Sequence, residues 1–480
     1  MPEKAAPAEC RASEELSAIL AAQKQAFLAA SEPSLAERRR DLARLSGAVN
    51  ARAEDLASAM NADFGNRSQH ESYVAELYTT LSGIRHISRH LGAWMKTERR
   101  GVNRVFFPAR AEVRARPLGV AGVISPWNYP FYLAMMPVAT ALAAGNRVML
   151  KPSEFAPATA ALMAEILSGL FPPEKVYSAC GGPEVGAAFS KLAFDVLLFT
   201  GSTGVGRRIM AAASLNLTPV ILELGGKSPA IVGPTANLFH AASRIALGKA
   251  FNAGQTCVAP DYALVPAESL ETFAGAVAAA WRKSFPTLAG NPDYTAIINE
   301  RHYARLSGLL DDALRKGGRI IPVNAANEKL DPARRKMAPT LVLNASPDMA
   351  LMQEEIFGPI LPVIPYGALS EASAFVNARP RPLALYVFDE DQSKVSEVLS
   401  RTLSGGVTVN DVMLHVAQDD LPFGGVGESG MGLYHGREGF DAFSHKQAVF
   451  FQKTPNAQGL LRPPYQANLM KILKILLRWG

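Results

Sequence analysis

The sequence predicts an α/β protein with two parallel-sheet units, on three observations. The chain has 480 residues, too many for one ordinary domain and enough for two or three with cores of their own. From Pro117 short apolar runs alternate with stretches of helical spacing, the pattern of parallel strands joined by right-handed crossover helices. A second series of the same kind runs from Ser228 to about Leu421.

The first ninety-odd residues read as helical. Ser34 and Glu37 form a capping-box pair after Pro33, and Leu42, Leu45, Val49, Leu56 and Met60 follow at helical spacing. His86 and His90 stand four apart, a spacing that can hold a metal. No acidic residue sits between them as in zinc proteases, so they read as a helix surface and no metal is expected. Past Pro117, residues 118–124, 147–151, 175–180, 195–200 and 219–224 read as strands. Helices are expected over 131–145, over 156–170, between the third and fourth strands, and after the loop that begins at Gly201. In the second series, 228–232, 261–265, 384–388 and 406–410 are the expected strands. No internal repeat or low-complexity linker interrupts the chain.

Composition excludes several classes. A hydrophobic fraction of 48% with 19% charged residues fits a globular protein and argues against disorder. The net charge is +6, but the basic residues are scattered, so no nucleic-acid partner is expected. Only three cysteines occur, Cys10, Cys180 and Cys257, which suggests a reducing compartment and a cytoplasmic location. The N-terminal stretch has no apolar signal core, and no run of 18 apolar residues is present. Residues 469–479, LMKILKILLRW, carry an apolar stripe with Lys471, Lys474 and Arg478 on the other side. The plainer reading is a helix packed on the body or on a partner subunit; the other is peripheral contact with a membrane surface.

Candidate chemistry gathers at strand ends. Gly201-Ser202-Thr203-Gly204-Val205-Gly206 follows a strand and opens a helix, where free N–H groups suit a pyrophosphate. It is not G-x-G-x-x-G, and alone it reads first as an ordinary glycine turn. Lys151, Ser153 and Glu154, in KPSE, suit ribose hydroxyls and a nearby phosphate, or equally a surface turn. Cys257 ends FNAGQTC, and a thiol is strongly nucleophilic near neutral pH once its pKa is lowered. The alternative is a buried inert cysteine, against which stands a polar, glycine-bearing turn not expected in a core. Glu223 ends an apolar strand, as a general base of raised pKa or in a salt bridge to Lys227. Asn128, in SPWNYP, is an oxyanion donor or a turn residue beside Pro126 and Pro130. Trp127, Tyr129, Phe131, Tyr132 and Phe251 suit an apolar, aromatic substrate, or a core.

The set PWN (126–128), KPSE (151–154), FTGST (199–203), LELGGK (222–227), GQTC (254–257), EEIFGP (354–359) and PFGGVGESG (422–430) resembles the aldehyde dehydrogenase superfamily, in order and over roughly residues 15–455. The stretch 431–449 is similar to the class 3 branch, and 410–425 to bacterial coniferyl aldehyde dehydrogenases. The resemblance implies a Rossmann-like NAD-binding domain (1–98 and 118–225), a second parallel α/β catalytic domain (226–428) and a small β bridging and oligomerisation region (99–117 and 440–455), with 456–480 as a tail. It implies a homodimer, formed through an exposed strand edge of the bridging region.

The resemblance also assigns roles. Cys257 is the nucleophile, Glu223 the base for the deacylating water, and Asn128 with the Cys257 N–H the oxyanion hole. Lys151, Ser153 and Glu154 bind the cofactor ribose region, and Gly201, Ser202 and Gly206 line the pyrophosphate. Glu355 binds the nicotinamide ribose and Phe357 packs at the nicotinamide end. Glu154 favours NAD, although the branch often accepts NADP as well. The implied reaction is oxidation of an aldehyde, coniferyl aldehyde to ferulate for one, through a cysteine thioester. A coenzyme A-acylating enzyme would not need Glu223, and a silent NAD-binding scaffold would not need Cys257, Asn128 and Glu223 together. A serine hydrolase lacks its G-x-S-x-G.

Overall fold

The computed structural model describes residues 8–103, 106–456, 463–465 and 469–479. The extreme N-terminus, part of the expected bridging hairpin (104–105) and parts of the tail (457–462, 466–468 and 480) lie outside the described residues.

Two parallel sheets organise the fold. The first runs in the order Gly430–Met431, Val220–Glu223, Val196–Thr200, Val120–Ile124, Arg147–Lys151, Val176–Ser178. Every neighbouring pair is parallel except the first, where Gly430 lies antiparallel to Glu223. Val120–Ile124 and Val196–Thr200 are buried along their whole length, as strands covered on both faces must be. Helix Tyr132–Ala144 is apolar almost all round and correspondingly buried, and Gly145 closes it at φ 93°.

The second sheet has the order Arg319–Pro322, Thr340–Leu343, Ile360–Tyr366, Tyr262–Pro266, Pro229–Val232, Ala384–Phe388, Gly406–Val409. Its first three strands were not expected from the sequence. Ile360–Tyr366 carries Pro362 and Pro365, which argue against a central strand. The strand escapes the penalty by pairing on one side at a time. Residues 360–362 pair with 340–342, and residues 363–366 pair with 263–266, so each half behaves as an edge.

A third, antiparallel sheet joins Glu98–Arg100, Arg110–Pro117 and Ser444–Phe451. In the N-terminal helices Ser34 and Glu37 form the expected capping box, and Leu42, Leu45, Val49, Leu56 and Met60 are fully buried. His86 and His90 do not make an open helix surface. Both are half-buried, their rings 4.2 Å apart, with Trp94 stacked on His90.

The tail, expected to pack on the body or on a partner subunit, packs little on the body. Leu469–Trp479 is helical, but among its described side chains only Leu469 is buried. No helix among the described residues is long and apolar enough to cross a membrane.

Candidate active site

Cys257 follows a short helical turn, Phe251–Gly254, whose backbone is strained. Asn252 and Ala253 sit at φ 49° and 50°, in the left-handed region. Gly254, at φ 73°, lies so close to Gly358 that a Cβ would stand 2.3 Å from its carbonyl oxygen. The surroundings over-determine this shape. The Asn252 side chain donates to the carbonyls of Asn128 (3.0 Å) and Gln255 (3.2 Å), and its backbone N–H donates to Glu71 Oε2 (3.0 Å). Gln255 Nε2 donates to the carbonyls of Asn252 and Ala296, and Gln255 Oε1 accepts from Ile298 N. Asn252 and Gln255 are fully buried, so the expectation that a polar turn stays out of the core fails. The Asn252 and Gln255 amide nitrogens and Gln255 Oε1 are met by the chain, while Asn252 Oδ1 is buried with no partner among the described residues.

Asn128 is buried and donates one amide hydrogen to the Gln255 carbonyl at 3.1 Å. An amide nitrogen carries two, so one remains for an oxyanion. The residue is braced from the N-terminal helices. Arg67 donates to the Asn128 carbonyl at 3.0 Å and pairs with Glu76 at 2.9 Å, both fully buried. Glu76 Oε2 accepts from the N–H groups of Phe131 and Tyr132, each at 2.9 Å, and so fixes the whole turn after Asn128. Glu76 lies in a π-helical turn, Tyr73–Tyr78, a distortion frequent at functional sites. Sequence reasoning missed Arg67, Glu71 and Glu76. A carboxylate at an apolar helix position was the available signal, but its partners are remote in sequence.

Glu223 ends its strand with 2% exposure, and neither carboxylate oxygen has a hydrogen-bond partner. Burial alone pushes its carboxyl well above the ordinary range. The salt-bridge reading is overturned, because Lys227 binds Asp261 and the carbonyls of Leu351 (2.7 Å) and Glu354 (3.0 Å). The Cys257 thiol is also corrected in direction. Burial, with Glu355 and Glu223 as charges nearby, pushes it up to about 12 rather than down. Burial likewise raises Glu355 to about 8, with Asp261 adding to the rise.

Two cavities meet at Cys257. One, about 390 Å³, is lined by Trp127, Asn128, Ser202, Glu223, Glu355 and Phe357. Gly201 donates its N–H to the Glu223 carbonyl at 3.0 Å, and helix Thr203–Ser214 starts at Ser202. The N–H groups of Thr203 and Gly204 then have no partner within the helix and open into this cleft. Gly206 lies inside the helix, where a Cβ would stand 2.7 Å from Leu224 Cδ2; its part is close packing. Phe357, at φ 50°, sets its ring edge-on to Trp127 at 5.4 Å. Lys151 donates to Glu154 Oε2 at 3.1 Å and to the Pro152 carbonyl, and Ser153 Oγ accepts from Phe155 N. His302, unforeseen, lines the same cleft, held neutral at about 4 by burial.

The other cavity, about 270 Å³, is almost wholly apolar, with Tyr129, Tyr132, Phe251, Met413, Val416 and Phe423 in its wall. Tyr129 OH shares a 2.7 Å hydrogen bond with Thr256 Oγ1, and Tyr132 OH shares one of 3.2 Å with His435 Nε2. Of the aromatics singled out in the sequence, Trp127 faces the polar cleft and Phe131 is core, while Tyr129, Tyr132 and Phe251 face the apolar cavity.

Cys257 thus stands between an apolar cavity and a polar cleft at a helix start. The model of the aldehyde dehydrogenase family matches residues 3–449. The chain belongs to the aldehyde dehydrogenase family. It is an oxidoreductase acting on aldehydes. The coniferyl aldehyde dehydrogenase of Pseudomonas sp. is 46% identical over 467 residues, 97% of this chain and 96% of that protein. The substrate-bound AldH of Staphylococcus aureus superposes with a TM-score of 0.90 at 38% identity, covering 96% of this chain and 99% of that one. PnpE in complex with nicotinamide adenine dinucleotide superposes with a TM-score of 0.85 at 26% identity, covering 92% of this chain and 91% of that one.

Proposed function

We propose that this aldehyde dehydrogenase oxidises a phenylpropenal of the coniferyl aldehyde type to its acid, with NAD as partner substrate. The observation that carries the reading is Cys257 at the junction of an apolar, aromatic-walled cavity and a polar cleft. The aldehyde enters through the first and the dinucleotide through the second. The coniferyl aldehyde dehydrogenase relative supports the substrate class, and the NAD complex of PnpE supports the cofactor.

The cleft fits a dinucleotide. Unpaired N–H groups at a helix start suit a pyrophosphate, and Gly225 keeps room where a Cβ would meet the Glu355 carboxylate at 2.2 Å. Lys151 and Ser153 would hold the adenosine ribose. Glu154 there would oppose a 2′-phosphate, which favours NAD over NADP. Glu355 would take the nicotinamide ribose and Phe357 the nicotinamide end. When bound, NAD supplies the hydride acceptor.

The Cys257 thiol gives its proton to solvent water, and the thiolate adds to the aldehyde carbonyl to form a thiohemiacetal oxyanion. The free amide hydrogen of Asn128 and the Cys257 N–H hold the oxyanion. Loss of hydride leaves a thioester. Glu223, unpartnered and of raised proton affinity, takes a proton from water, which displaces the acid. The same carboxylate weighs against transfer to coenzyme A. The unit of the first sheet (1–98, 118–225, completed by Gly430–Met431) would bind the cofactor, and 226–428 would carry the nucleophile. Among the described residues Ser444–Phe451 is paired on one side only, and it would offer its free edge to a second copy, giving a homodimer. Two free thiols among the described residues suit a cytoplasmic setting.

The test is absorbance of reduced nicotinamide with NAD and coniferyl aldehyde, benzaldehyde or acetaldehyde, with Cys257→Ala as control. Aldehyde-dependent signal that vanishes in the variant, with coniferyl aldehyde ahead of acetaldehyde in kcat/KM, is expected. Equal turnover of acetaldehyde refutes the substrate class, and a requirement for coenzyme A refutes the hydrolytic step.

A further inference from the structure

The helix Leu469–Trp479 has no part in the chemistry above. Its eleven residues rise about 16 Å, half of what a bilayer core requires, so it cannot span one. Lys471, Lys474 and Arg478 fall within one narrow arc of the helix and are all exposed. The rest of the circumference is apolar in sequence, and exposed apolar side chains flank the cations on both sides. Met470 and Leu477 lie on one flank and Ile475 on the other, at 59%, 81% and 57% exposure. An isolated exposed leucine means little, but three exposed apolar side chains beside a cationic stripe leave both flanks of that stripe uncovered, while Leu469 on the opposite side is buried.

Charge selects what covers it. After Asp441 the sequence holds six lysines and arginines and no acidic residue, so this stretch alone carries +6, equal to the net charge of the chain. The helix itself carries +3 and no acidic residue, so the same helix of a second copy is a poor electrostatic match for it. A surface bearing phosphate negative charge over hydrocarbon matches both halves of the helix at once. Tyr465, four residues upstream and 66% exposed, is the kind of side chain that settles at such a boundary.

We propose that the helix Leu469–Trp479 docks this enzyme on an anionic lipid bilayer. It lies in the plane of the surface with Met470, Ile475 and Leu477 toward the acyl chains and its cations at the headgroups. The attachment is reversible, because one short helix supplies modest apolar area and its charge attraction is screened by salt.

The experiment is co-sedimentation of the full chain with vesicles of phosphatidylcholine alone or with a quarter phosphatidylglycerol. Binding to the anionic vesicles, weakened by 0.5 M salt and poor with phosphatidylcholine alone, is expected. Lys471→Gln/Lys474→Gln/Arg478→Gln removes three charges near the surface, each worth about fivefold, so partitioning should fall on the order of a hundredfold. Its turnover of a water-soluble aldehyde should match the parent, which shows an intact fold. Parent protein that stays in the supernatant overturns the proposal, as does a triple variant that sediments like the parent. So does an Ile475→Asn/Leu477→Asn variant that dissociates a dimer in sedimentation equilibrium, since the face would then belong to a second copy.

Discussion

Cys257 should be a slow nucleophile in the cofactor-free enzyme, and the slowness can be calculated. Burial, then Glu355, then Glu223 raise its thiol from 9.0 to about 12. Three units mean about a thousandfold fewer thiolates at neutral pH than an ordinary thiol has. A thiolate of higher pKa is intrinsically more reactive, and a Brønsted slope near 0.45 returns roughly twentyfold. The net expectation is alkylation about fiftyfold slower than that of an ordinary cysteine. The assay is iodoacetamide labelling between pH 6.5 and 9.5, read by peptide mass spectrometry so that Cys257 is resolved from the exposed Cys180. The Cys257 rate should keep climbing to pH 9.5 with no plateau. Glu355→Gln removes the carboxylate that raises the thiol more, so it should lower the thiol pKa and quicken labelling above about pH 8, where Glu355 is ionised. A plateau below pH 9, or labelling as fast as free cysteine, would refute the argument from burial.

Four further outcomes are expected. Glu223→Gln should keep a stoichiometric first turnover in stopped flow while steady-state turnover falls about 10²–10⁴-fold; burst and steady state falling together would contradict a role confined to deacylation. The same variant should melt higher than the parent, by a margin that opens as pH rises. A carboxyl raised by folding favours the folded state only while protonated, so its contribution is lost above the ordinary value of 4.5, and glutamine has no such loss. Arg67→Met should cost about 3–5 kcal/mol in urea unfolding and slow acylation, because it strands Glu76 in the core and frees the Asn128 carbonyl; an unchanged midpoint would show that the pair braces nothing. Val416→Trp, placed in the apolar cavity wall, should raise KM for coniferyl aldehyde about 10–100-fold and leave acetaldehyde unaffected.

The sequence made the first sheet legible because its strands are short apolar runs between clear turns, as in Val120–Ile124 and Val196–Thr200. It hid Ile360–Tyr366, since two prolines mask a strand that pairs on one side at a time. Residues carried by motifs, Cys257, Glu223 and Asn128, come together around two cavities. The bracing residues were not legible. Glu71 meets Asn252 across 181 positions, and Arg67 meets Asn128 across 61, so no local pattern betrays them. Protonation was misjudged for the same reason: the direction of the Cys257 shift depends on burial and on Glu355, which only the folded chain brings near.

The strand Gly430–Met431 has a consequence for biosynthesis. It completes a sheet whose other members all lie before residue 224. Asn146, between the first two strands, likewise waits for the Phe443 carbonyl, which it meets at 2.8 Å. At about 5–20 residues per second, a ribosome needs roughly 10–40 s to pass from Glu223 to Met431. Through that interval the nascent chain carries a bare edge on the Val220–Glu223 strand, open to stray pairing. A ribosome stalled before the last fifty residues would release a product with Cys257 present and its first sheet unfinished, a natural client for chaperones and proteases.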